Sequence, residues 1–113
     1  MEYLPVGLFA VAAVGGLTLV TMKLTGKGMP LPLAFGHGIF AAAGLVALIV
    51  RILENGGNAL MNLSLLLFLA VALGGFVLLA LHLRGRRQPG LLIAAHAAGA
   101  VASFVVLLVA VSG

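Results

Sequence analysis

His37 and His96 are the two side chains in this sequence whose chemistry and placement invite a ligand. Each lies inside a long apolar run, and they stand 59 residues apart. The same offset, with no gap, sets Pro30 on Pro89, Phe9 on Phe68, and the pair Gly15-Gly16 on Gly74-Gly75. Over residues 4–54 against 63–113, 17 of 51 positions are identical, whereas composition alone gives about one match in nine for so Leu/Ala/Gly/Val-rich a chain. The sequence therefore reads as one unit used twice. An imidazole at membrane depth is costly and is a functional hypothesis by default. Two of them at equivalent positions have the donor atoms to ligate opposite faces of a haem iron, a cofactor commonly carried in helical bundle cores.

Other chemistries lack their residues. The chain has no cysteine, which removes disulfides, iron–sulfur clusters and thiolate zinc sites. It has no aspartate, and its two acidic residues are Glu2 and Glu54, so no Ser-His-Asp set exists. A catalytic zinc needs three convergent ligands and an activated water, and two histidines fall short. Met22, Met29 and Met61 have no regular spacing to the histidines that would mark a copper site. The length and span number are similar to those of the small multidrug-resistance transporters. That family carries a glutamate in its first helix, and none stands in the first helix here.

The elements that must position the histidines follow from hydropathy. Hydrophobic residues make up 64% and charged residues 7% of 113 residues, with a mean hydropathy of +1.34, values outside the range of water-soluble domains. About four spans of ~20 residues fit this length. The first is expected over Leu4–Met22; it follows Met1-Glu2-Tyr3 rather than a basic segment, and so reads as a retained helix, not a cleaved signal. A break at Lys23–Gly28 and the prolines Pro30 and Pro32 precede a second helix from about Leu33 to Val50 or Leu53. Arg51–Asn58 reads as the second loop, Leu60–Leu83 as the third helix, Arg84–Gly90 as the third loop, and a fourth helix runs from about Leu91 nearly to the end. The apolar runs are continuous, without the alternation of a membrane β-barrel.

The fold class expected is an all-α integral membrane protein: one four-transmembrane-helix domain over residues 1–113, built from two parallel two-helix repeats (4–54 and 63–113) related by a pseudo-two-fold axis along the membrane normal. The net charge of +4 reflects topology rather than nucleic-acid binding. Lys23, Lys27, Arg84, Arg86 and Arg87 fall in the first and third loops, while Arg51, Glu54 and Glu2 fall on the other side. The positive-inside tendency then places both termini outside the cytoplasm, in a bacterial inner membrane.

In such a bundle helices 2 and 4 are diagonal partners, and His37 faces His96 roughly 8–10 Å inside the basic boundary, five to seven residues beyond the loop prolines. Gly15, Gly16, Gly74 and Gly75 lie at a similar depth, where they would give a porphyrin edge clearance. Ala41 and Gly44 continue the His37 face, as Ala100 and Ser103 continue that of His96. Two histidines facing each other within a bundle resemble the ligation pattern of b-type cytochromes. The function expected is that of a membrane b-type cytochrome or haem-carrying subunit, with one haem b between His37 and His96 exchanging electrons with a quinone or a partner redox subunit. Glycine pairs also serve close helix packing without a cofactor, so the alternatives are a cofactor-free accessory subunit of a larger membrane complex and a small transporter. His82 corresponds to Lys23 at a helix end and reads as an interfacial polar residue. Thr18, Thr21, Asn62, Ser64 and Ser103 are expected to satisfy themselves within their own helices or near the interface.

Overall fold

The computed structural model describes residues 3–112; Glu2, and Gly113 at the end of the segment expected as a second repeat, lie outside the described residues. Four helices make up the chain, α1 (Leu4–Leu24), α2 (Leu31–Asn55), α3 (Ala59–Leu83) and α4 (Gly90–Ser112). Each is long and apolar enough to cross a membrane. The bundle measures 43 × 23 × 21 Å, and its long axis matches the roughly 40–45 Å of a bilayer with its headgroups. Val14, Leu17, Leu73 and Phe76 are each about two-thirds exposed on its flanks. A lipid environment, and not water, accommodates them.

Helix ends are set by local chemistry. Pro5 and Pro32 occupy the first turns of α1 and α2, where a missing N–H costs nothing. The Asn58 side chain caps α3 by accepting from the Met61 amide at 2.8 Å. α1 and α3 stop in the same way. Gly26 and Gly85 take φ of 76° and 66°, and the amides of Lys27 and Arg86 reach back to the carbonyls of Met22 and Leu81 at 2.9 and 2.8 Å. This is the Schellman ending, in which a left-handed glycine lets the chain fold back on orphan carbonyls.

The second connection differs from its expectation. Arg51–Asn55 is helical, and the loop shrinks to residues 56–58. Charge marks where a helix meets water, not where it ends, and Ile52 still packs on the apolar core.

α1 packs most closely on α2 and α3 on α4; the two hairpins meet along the thinner α2–α3 and α1–α4 seams, leaving α1/α3 and α2/α4 diagonal. The apolar core sits at the end carrying the 56–58 loop. Phe9 and Phe68 stack there across the α1/α3 diagonal, rings parallel within 1° and centroids 3.8 Å apart. Leu48, Leu107, Met61 and Ala110 close around them. Toward the other end the buried residues are Leu19, Leu78 and Gln88, and between the two regions lie the histidines and Ala12.

Candidate functional site

α2 and α4 carry His37 and His96 to the bundle interior, where the imidazoles meet edge to face with centroids 6.3 Å apart and planes at 86°. Each ring is held by the preceding helix of its own hairpin. His37 Nδ1 lies 2.6 Å from the carbonyl oxygen of Ala12 on α1, and His96 Nδ1 lies 2.9 Å from that of Val71 on α3. A carbonyl only accepts, so Nδ1 carries the proton in both rings. That leaves Nε2 as the second ring nitrogen of each histidine, 3.5 Å from the Cβ position of Gly16 in His37 and 3.6 Å from that of Gly75 in His96. Among the described residues neither Nε2 has a hydrogen-bond partner.

The four glycines are where the spacing placed them, and the guest they accommodate is the imidazole itself. A Cβ on Gly16 would stand 2.9 Å from His37 Cε1, and one on Gly75 would stand 3.0 Å from His96 Cε1. Gly15 and Gly74 face the same rings at 3.4 and 3.8 Å. The acceptor carbonyls belong to the residues four before Gly16 and Gly75, so seat and hydrogen bond come from one turn of helix. Metal-binding histidines show this pattern: Nδ1–H donated to a carbonyl fixes the ring and raises the basicity of Nε2.

Access is unequal. A groove of about 300 Å³ on the α1/α2 flank, between Val14, Gly15, Thr18, Gly36 and Phe40, has His37 in its wall. His82, in the last turn of α3, is half-buried and one turn beyond Leu78, apart from the imidazole pair, and its own imidazole makes no hydrogen bond with the described residues. Among the described residues no three His, Cys, Asp or Glu side chains converge.

Thr18, Thr21 and Ser103 bond carbonyls of their own helices, Val14, Leu17 and Gly99, as expected. Ser64 does not. Fully buried, it donates across to the Ser103 carbonyl on α4 at 2.9 Å and so ties α3 to α4. Gln88 is a buried residue that sequence reasoning missed. Its Nε2 donates to the Leu78 carbonyl at 2.8 Å, and its Oε1 accepts from Lys23 Nζ at 3.1 Å. The one signal was its place as the uncharged polar side chain between Arg87 and Pro89.

No protein family, curated protein or solved structure matches this chain.

Proposed function

We propose that the protein is a membrane b-type cytochrome, or the haem-carrying subunit of an electron-transfer complex, in which His37 and His96 ligate one haem b. The observation that carries this reading is the pair of Nδ1–H groups committed to carbonyls, which leaves Nε2 as the ring nitrogen available for a ligand in each of two imidazoles whose centres are 6.3 Å apart. Two lone pairs cannot satisfy each other; they call for a proton, a metal or a donor between them. Bound haem would supply one-electron transfer. The chain's own part is to orient the ligands, fix their tautomer and keep water from them.

The finer architecture belongs to this proposal. Equal sequence separations of 25 link each histidine to its acceptor, and Phe9 with Phe68 and Leu48 with Leu107 are buried pairs 59 apart. These features support two parallel repeats about an axis along the membrane normal. The basic loops then lie on the cytoplasmic face of a bacterial inner membrane, with both termini opposite. The groove reaching His37 from the flank is a route by which a quinone dissolved in the bilayer approaches the site; a redox subunit is the alternative partner.

One observation favours a second reading, a cofactor-free accessory subunit: the imidazoles already fill the spaces over the glycines. The visible spectrum of protein purified from haem-replete cells separates the two. A reduced b-type α-band at one haem per chain supports the first reading, and a colourless protein the second. Labelling Lys27 and Arg86 from one face and Asn55–Asn58 from the other tests the parallel repeat.

A further inference from the structure

Five of the six basic residues, Lys23, Lys27, Arg84, Arg86 and Arg87, are exposed at the end of the bundle that holds the first and third loops. The one carboxylate side chain among the described residues, Glu54, lies at the other end. Directly below these cations a groove of about 300 Å³ opens on the α1–α4 seam. Its walls are Val20, Lys23 and Leu24 from α1 and Gly90, Ile93, Ala94 and Ala97 from α4. α4 contributes small residues at i, i+4 and i+7, Gly90, Ala94 and Ala97, with Ile93 beside them. Both walls run straight into the basic loops.

Two further features point to an anion at the head of this groove. α4 begins at Gly90 with no acidic residue in its first turn, so the positive end of its dipole is uncompensated. Lys23 Nζ is steered across the groove mouth by its bond to Gln88 Oε1 and keeps two donors free. An apolar slot along the membrane normal, ending in fixed cations and a helix N-terminus, matches one ligand of the bilayer: an acyl chain ending in a phosphate. Basic pockets between membrane helices recognise anionic lipid headgroups in this way.

We propose that the α1–α4 groove binds one anionic phospholipid, with an acyl chain along Val20, Gly90, Ala94 and Ala97 and its phosphate between Lys23 and the first turn of α4. The site stands apart from the histidine pair and does not depend on haem.

Native mass spectrometry of the full chain, released from detergent with phosphatidylglycerol or phosphatidylcholine added, tests this. One phosphatidylglycerol should be retained per chain, and phosphatidylcholine should be lost. Leucines at Ala94 and Ala97 should lower retention at least tenfold by filling the slot, and Arg86→Gln with Arg87→Gln about fivefold per charge removed. Equal retention of the two lipids would overturn the proposal, as would displacement of phosphatidylglycerol by equimolar inorganic phosphate, which would mark a site for free anions. If the leucine variant fails to fold, the arginine pair decides alone, because it lies in an exposed loop. Unchanged retention there overturns the proposal.

Discussion

Two levels of the bundle are joined across its diagonals by residues 59 apart, yet they use opposite materials. At one end Phe9 and Phe68 lie flat on each other at 3.8 Å with Leu48 and Leu107 fully buried around them. Nearer the middle of the bundle His37 and His96 meet edge to face at 6.3 Å, each bonded to a carbonyl and seated on glycines. In lipid there is no hydrophobic force to draw helices together, so association rests on close packing and interhelical hydrogen bonds. The phenyl level uses the first and is complete. The imidazole level uses the second within each hairpin and leaves a lone pair on each ring unused. The contrast sets a region closed by ring stacking beside one closed by hydrogen bonds to carbonyls, and the haem proposal rests on the second.

The largest effect should come from removing an imidazole. His37→Ala and His96→Ala should act alike, because each ring has the same seat and bond. Either change should convert a six-coordinate low-spin haem into a weakly held five-coordinate one, and the double change should abolish binding, as read by visible and electron paramagnetic resonance spectra. A six-coordinate spectrum surviving in one single variant would break the equivalence of the pair.

Next come the seats. Gly16→Leu and Gly75→Leu place a Cβ within 3.0 Å of an imidazole carbon and should lower haem occupancy more than a leucine at Ala47 in the other half. Gly44→Ala supplies the matching test at the phenyl end, since its Cβ would stand 2.9 Å from Phe9. It should cost about 1–3 kcal/mol by overpacking and leave the haem spectrum intact. If all these variants lose stability and haem in parallel, the glycines are packing residues only.

Phe9→Ala and Phe68→Ala should have a smaller effect than in a water-soluble core. There a Phe→Ala change costs roughly 3–5 kcal/mol, part of it transfer from water. In a bilayer the transfer part vanishes and lost packing remains, so about 1–3 kcal/mol is expected in a bicelle unfolding titration, with the ligand spectrum unchanged.

What could be read from the sequence divides along the same line. The spans were legible because each apolar run exceeds the bilayer thickness, and the histidine pair and its glycines were legible because the offset of 59 repeats them. The end of α2 was misplaced because Arg51 and Glu54 mark water, while helix propensity and the contact of Ile52 with the core carry the helix to Asn55. The acceptors of the two Nδ1–H groups left no trace, since a backbone carbonyl belongs to every residue type. The glycines are expected from the sequence to clear a porphyrin edge, and in the structure it is the imidazole of the neighbouring helix that lies against them. Gln88 and Ser64 were illegible for a related reason: a polar side chain shows in sequence, whereas the carbonyl that lets it be buried does not.

The smallest effect should be that of His82→Ala. His82 stands in the last turn of α3, beyond Leu78, which is buried between it and the imidazole level. Its repeat counterpart is Lys23, whose ammonium bonds Gln88 at the basic end. A group at that position acts on a haem only through charge or through propionates, not on the iron. The variant should therefore keep a six-coordinate low-spin spectrum and full occupancy, with at most a shift in reduction potential measured by redox titration. Should His82→Ala give a five-coordinate haem while one of the other two single variants does not, His82 would be an axial ligand. The edge-to-face pair would then be a packing contact, and the distinction between the two levels of the bundle would have to be redrawn around α3.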